Sequence, residues 1–306
     1  MRLNDDKQYF LKQLEETELS INVSAAYVEK DYWQFILLKE IFKENKNGYV
    51  FKGGTSLSKC YHLINRFSED LDISYSVNYN DLTVGQAKNK LHSIIDSIQK
   101  AGLTLANADQ LRSRRYFNQL QCTYKSVIEG NINEDRVIVE LEAQTPSFPS
   151  ETKTISSFIG DYFESKNRHD LVIKYELEPF DLQVQCLERT LVDKTFALCD
   201  YYLSDTCEKH SRHIYDITKL LTVVELNDDL VKLFKEVREY RQKMSVCISA
   251  REGIKLHQVM TAIINLKTYK KDYESITYQL LYEDCPYKKC EEGLTKLKDF
   301  LVCSNL

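Results

Sequence analysis

The sequence predicts a mixed α/β fold of the α+β kind, in which a mixed sheet flanked by helices is followed by a helical C-terminal half. Three observations predict it. Short segments with strand-like alternation occur at residues 49–51, 71–74, 115–124 and 136–143. Longer runs with apolar residues three and four apart stand between and before them. From residue 187 onward only the helical period remains. The division between the halves is expected near residue 186, giving a domain over 1–186 and a helical domain over 187–306.

Residues 1–45 carry helical spacing (Tyr9, Phe10, Leu14, then Tyr32, Phe35, Ile36, Lys39), so two helices precede the first strand, with Ser24 as N-cap of the second. Residues 49–51 form the strand, Gly53-Gly54 a tight turn, 55–64 a helix and 71–74 the next strand. A turn at 78–80 leads to a helix over 84–102, with apolar positions Ala87, Leu91, Ile94, Ile95 and Ile98 and a glycine stop. Strands 115–124 and 136–143 are expected to pair as a hairpin around Glu129-Gly-Asn-Ile-Asn133. Two of the four prolines break regular structure at 144–150. The segments 171–177 and 180–186 suit short strands. Helices are expected at 187–203, 211–224, 228–241, 253–265 and 290–302.

The 306 residues, 43% hydrophobic and 28% charged, suit a globular protein with a sizeable core. The formal charge of -5 means that any nucleic-acid contact must come from a local basic patch. Arg112-Ser-Arg-Arg115 with Tyr116 is the best such patch, although its composition suits a solvated loop better. No apolar run reaches membrane length, and the polar start Met-Arg-Leu-Asn-Asp-Asp gives no secretory signal, so a cytoplasmic protein without a membrane partner is expected. The nine cysteines lack framework spacing and read as reduced thiols. Cys285 and Cys290 come nearest to a metal pair, yet no second pair or histidine accompanies them.

The chemistry concentrates in Lys52-Gly-Gly-Thr-Ser-Leu-Ser-Lys59 and Arg66-Phe-Ser-Glu-Asp-Leu-Asp72. The first joins a strand, a glycine turn and a helix start whose free N–H groups suit an anion, and phosphate is the natural one. In the second, Asp70 and Asp72 are two apart on a strand and share a face. Mg²⁺ takes a few carboxylate oxygens together with substrate phosphates, so this layout suits nucleotidyl transfer. Neither a Walker loop nor a dinucleotide-binding loop is present. A third metal carboxylate would come from the strand at 136–143, where Glu140 is preferred over Glu142; both also suit a solvated sheet face. On the helix from Leu187, Lys194 lies among apolar neighbours, where it either snorkels or meets a phosphate. Arg212 and Asp216 stand four apart, as a surface ion pair would.

These motifs, with Val139-Glu-Leu141, Leu187-Glu-Arg-Thr-Leu-Val-Asp-Lys194 and Ser211-Arg-His-Ile-Tyr-Asp216, resemble in order and spacing those of the AbiEii/AbiGii-type toxins over about residues 25–225. The resemblance implies a nucleotidyltransferase fold of the DNA-polymerase-β kind, shared with the MenT toxins, some of which add nucleotides to tRNA acceptor ends. It also implies a cognate antitoxin and a role in abortive phage infection. By that resemblance Gly54, Thr55 and Ser56 cradle the triphosphate, with Gly53 and Lys59 in the same nucleotide-binding stretch. Asp70 and Asp72 bind Mg²⁺ or Mn²⁺, with Glu140 in the place of the family's strand acid. Lys194 contacts phosphate and Asp216 completes the essential set, with Arg212 orienting it or touching a phosphate. Glu142 and Gln144 depart from the pattern, where a small and a basic residue are expected. The implied reaction moves a nucleoside monophosphate from a triphosphate, GTP or CTP, to a tRNA or other RNA. The alternatives are nucleotidyl transfer to a protein hydroxyl and a non-catalytic nucleotide-binding module.

Overall fold

The computed structural model describes residues 1–306 apart from 45–47, 67, 69, 78–80, 114–115, 130–134 and 144–145. The expected turn at 78–80, most of the 129–133 loop, and Phe67, Glu69, Arg114, Arg115 and Gln144 lie outside the described residues. Internal contacts divide the chain into two units, Met1–Cys60 with Glu69–Val184, and Tyr61–Ser68 with Gln185–Leu306.

The first unit opens with helices α1 (Lys7–Ile21) and α2 (Ala25–Glu44). The side chain of Asp6 caps α1 by accepting the Tyr9 N–H at 3.1 Å. Helix α2 is buried on almost every side, with Val28, Tyr32, Phe35, Leu37 and Leu38 in the core beside the polar Glu29, Asp31 and Gln34. Buried carboxylates need partners: Glu29 accepts from Ser126 Oγ at 2.6 Å and the Val127 N–H at 2.9 Å.

The sheet comprises β1 (Tyr49–Lys52), β2 (Asp70–Tyr75), β3 (Thr104–Leu105), β4 (Phe117–Thr123), β5 (Arg136–Glu142), β6 (Ser150–Ile155) and β7 (Phe180–Gln185), in the order β3-β4-β5-β2-β1-β7-β6. It is mixed: β1 runs antiparallel to β2 and parallel to β7, while β5 runs parallel to β2 and antiparallel to β4. Alternation does the sorting. Leu71, Ile73, Val137, Val139 and Leu141 enter the core, and the residues between them face the other way. Helix α3 (Gly53–Lys59) follows β1, and α4 (Val84–Lys100) begins with a capping box between Thr83 and Gln86. The stripe Ala87, Leu91, Ile94 and Ile98 is buried, and Gly102 leaves at φ 80°.

Three expectations change here. The helix expected over 55–64 runs over Gly53–Lys59 instead, taking in the two glycines expected as a turn. The segment 171–177 is helical: α5 (Phe158–Ser165) and α6 (His169–Lys174) bury Ile159, Phe163, Leu171 and Val172. A short apolar run suits either period, and tertiary packing decides between them. Strand β6 lies just beyond the proline-broken stretch, where alternating Ser, Glu, Thr and Lys offered little apolar signal.

The second unit contains α7 (Leu187–Leu203), α8 (Arg212–Leu220), α9 (Asp228–Arg241), α10 (Leu256–Asn265), α11 (Lys270–Ser275) and α12 (Tyr287–Cys303). Its core takes Leu191, Val192, Phe196 and Leu198 from α7, Ile214 and Ile217 from α8, and Leu294, Leu297 and Leu301 from α12. Gly293 lets α12 approach α8 closely, since a Cβ there would lie 2.9 Å from Thr218 Oγ1. Cys285 and Cys290 are buried thiols with Sγ atoms 3.9 Å apart. No helix among the described residues is long and apolar enough to cross a membrane.

Candidate active site

The period of two and the strand register together build one polar row across the sheet. Lys52 of β1 pairs with Asp72 of β2, Asp72 with Glu140 of β5, and Glu140 with Gln119 of β4. Asp70 lies two residues from Asp72 on the same face, in register with Ile138. Asp70, Asp72 and Glu140 are all half-buried. Gln119 Nε2 donates to Glu140 Oε1 at 3.2 Å. Glu142, on the same face, is ion-paired to Lys52, which offsets the extra negative charge at that position.

The glycine turn explains why a side chain cannot stand at residue 53. Gly53 has φ 74°, and a Cβ built there would fall on the carboxylate of Asp72. The turn backbone and the Asp72 side chain are thus in direct contact. Helix α3 is short, so its use to an anion lies in the N–H groups of its first turn rather than in a large dipole. The hydroxyls of Thr55 and Ser56 serve the backbone: Thr55 Oγ1 donates to the Asp70 carbonyl at 2.6 Å and Ser56 Oγ to the Gly53 carbonyl at 2.9 Å. Thr55 therefore ties the turn to the strand that carries both aspartates. Lys59 points elsewhere. Its ammonium pairs with buried Asp31 of α2, whose second oxygen accepts the Phe158 N–H at 2.9 Å.

In the second unit, Asp216 is fully buried and lies between two cations. Arg66 Nε and Nη2 donate to its two oxygens at 2.7 Å each, and Lys194 Nζ stands 2.6 Å from Oδ2. Arg66 is 5% and Lys194 7% exposed, so the cluster is nearly dry. Burial works to raise the Asp216 carboxyl, and the charges of Arg66 and Lys194 overcome it, holding the group below the usual carboxylate range. Burial lowers the Lys194 ammonium, against the pull of Asp216. Two cations thus share one buried carboxylate, which meets the need of a buried charge for partners. Nearby His213 is held well below the usual imidazole range by burial and by Lys194, and so stays neutral near pH 7.

Arg66 is the residue the linear reading missed. The i, i+4 rule offered Arg212, but Arg212 is exposed at the start of α8, and the bidentate partner comes from 150 positions away. Its presence inside the Arg66–Asp72 motif was the one available signal. The structure thus gathers Gly53, Gly54, Thr55, Ser56, Asp70, Asp72 and Glu140 in the first unit, and Lys194 and Asp216 with Arg66 in the second. Lys59 joins neither group, while Arg212 is exposed and acts on the second only through its charge, which lowers Lys194 and His213.

The donor set suits a small divalent cation. Two half-buried carboxylates on one strand face, one of them set against a glycine turn, are the partial oxygen shell that Mg²⁺ accepts when phosphates and water supply the rest. Among the described residues no group of three or more His, Cys, Asp and Glu side chains is arranged to hold a metal ion. Glu140 adjoins Asp72 in register without closing such a group.

Three comparisons bear on this arrangement. Among curated proteins none matches. Among solved structures the chain is similar to MenT4, a nucleotidyltransferase toxin from Mycobacterium tuberculosis H37Rv, at 17% identity and a TM-score of 0.58, covering 95% of this chain and 89% of that one. At that identity the likeness shows the fold, a mixed α/β nucleotidyltransferase-toxin architecture. The family described as "Nucleotidyl transferase AbiEii toxin, Type IV TA system" matches residues 36–288. A match over most of the chain, spanning the glycine turn, the carboxylate strand and the Lys194–Asp216 cluster, places this protein in the AbiEii family of nucleotidyl transferase toxins from type IV toxin–antitoxin systems.

Proposed function

We propose that this toxin transfers a nucleoside monophosphate from a nucleoside triphosphate, GTP or CTP, to the 3′ end of a tRNA in a Mg²⁺-dependent reaction. Mn²⁺ would serve in place of Mg²⁺. One observation carries the reading: Asp72 is set against the Gly53 turn and in register with Glu140, in a chain of the nucleotidyl transferase toxin family. The setting is the cytoplasm during phage infection, with a cognate antitoxin restraining the activity.

The acceptor hydroxyl oxygen loses its proton to water and forms a bond to the α-phosphorus, the bond from that phosphorus to the bridging oxygen breaks, and pyrophosphate leaves. Asp70 and Asp72 would hold the divalent ion, with Glu140 beside them. When bound, the ion supplies charge neutralisation on the triphosphate and a more acidic acceptor hydroxyl. The N–H groups of Gly53, Gly54 and Thr55, which have no acceptor within their own helix, would donate to phosphate oxygens. Lys194, which shares Asp216 with Arg66, is the cation that the family resemblance assigns to phosphate, and its buried setting makes such charge worth more than in water. Asp216 keeps the two cations together and ionised.

The test is incubation of purified protein with each α-³²P-labelled nucleoside triphosphate, Mg²⁺ and total bacterial RNA, resolving RNA and protein separately. Label on tRNA supports the reading and names the base. Label on protein would shift the acceptor to a side-chain hydroxyl, and bound nucleotide without pyrophosphate release would make the protein a binding module.

A further inference from the structure

The reaction as derived uses nothing beyond Asp216, yet one C-terminal segment converges on the Arg66–Asp216 pair. Arg66 and Leu281 form an antiparallel bridge, and the Tyr282 N–H donates to the Asn65 carbonyl at 2.7 Å. Glu283, the next residue, gathers three groups. Tyr215 Oη donates to its Oε1 at 2.5 Å, Lys219 Nζ stands 3.0 Å from Oε1, and Asn65 Nδ2 donates to its Oε2 at 3.2 Å. Tyr215 Oη in turn accepts the Asn65 N–H at 2.8 Å.

Asn65 and Tyr215 are the immediate chain neighbours of Arg66 and Asp216. One carboxylate therefore binds, one residue to the side, both segments that bring the ion pair together. Tyr215 and Lys219 are four apart on α8, so Glu283 grips a full turn of that helix. Burial works to raise the Glu283 carboxyl, and the hydrogen bonds from Tyr215, Lys219 and Asn65 overcome it and lower it. Arg66 sits outside regular helix or strand, and an arginine there has many rotamers to lose. Something must fix its approach if the cation cluster is to be formed before an anion arrives.

We propose that Glu283 is a positioning residue that clips the 65–66 segment to α8, and so presets Arg66, Asp216 and Lys194 for the triphosphate. The clip rests on the reading of that cluster as phosphate-facing, which its test must separate from the clip itself.

Full-length wild type, Glu283→Gln, Tyr215→Phe and the double variant are compared in three ways. The Arg66 Nε–H resonance, assigned by its loss in Arg66→Lys, reports local order. Titration with inorganic tripolyphosphate reports anion affinity, and thermal melting reports the fold. The expected result is a faster-exchanging, broadened Arg66 signal in both single variants, with tripolyphosphate affinity reduced about tenfold, the loss of one charged hydrogen bond. The double variant should lose no more than the worse single one, because both act through one network. An unchanged Arg66 signal and unchanged affinity in the two single variants would overturn the clip, as would losses that only follow the melting temperature. Should Glu283→Gln not fold, Tyr215→Phe decides. If wild type fails to bind tripolyphosphate, the phosphate reading of the cluster falls, and the Arg66 signal alone judges the clip.

Discussion

Arg66 holds Asp216 through two parallel hydrogen bonds of 2.7 Å, from residues 150 positions apart in the chain. Lys194 completes the cluster from α7. Such a pair is costly to break and modest in net worth when intact, because desolvation of the charges opposes their attraction.

Replacement of Asp216 by Ala should therefore destabilise the fold by about 3–5 kcal/mol, since it leaves two buried cations without their shared anion. Arg212→Ala, at an exposed position, should stay within about 0.5 kcal/mol of wild type. Urea unfolding of the two variants checks both values. Equal effects would restore Arg212 as the partner of Asp216.

The same cluster sets an acid sensitivity. A carboxyl whose folded pKa lies below its unfolded value, about 3.9 for Asp, stabilises the fold above that unfolded value. The contribution is lost as pH falls through the folded value. Asp216 is of this kind, its carboxyl lowered by Arg66 and Lys194 against the opposing effect of burial. Stability of wild type should decline below about pH 4 with a slope that Asp216→Asn reduces. Melting temperatures from pH 6 down to pH 3 would show it, and identical acid limbs would count against the assignment.

Lys59 offers a contrast with the nucleotide-binding role that its motif implies. Its pair with Asp31 is buried, and Asp31 also holds the Phe158 N–H. Lys59→Met should cost about 3–5 kcal/mol of stability while leaving the KM for triphosphate unchanged in the folded fraction. A raised KM at unaltered stability would return Lys59 to the nucleotide.

At Gly53, alanine would meet both a positive φ and the Asp72 carboxylate. Gly53→Ala should cost about 1–3 kcal/mol in backbone strain and displace Asp72, so transfer should fall far more than the melting temperature suggests. Gly85→Ala, where a Cβ meets open space, is the control and should be silent in transfer.

What the sequence made legible was local. A period of two put Asp70 and Asp72 on one face, and the glycine pair marked the start of α3, because both follow from backbone geometry over a few residues. Strands β4 and β5 paired as expected for the same reason. What escaped was fixed by distant partners. Arg66 reaches Asp216 and Lys59 reaches Asp31 across different elements, so neither spacing nor propensity could rank them against Arg212 or a phosphate. The segment 171–177 became helix because Leu171 and Val172 pack inward from α6, a choice made by the surrounding core.

The central claim is that Asp72 is part of the machinery of nucleotidyl transfer, and Asp72→Asn tests it most directly. With α-³²P-labelled triphosphate, Mg²⁺ and tRNA, the variant should transfer no detectable label while melting at or above the wild-type temperature. Transfer at the wild-type rate, with the same dependence on Mg²⁺, would contradict the account.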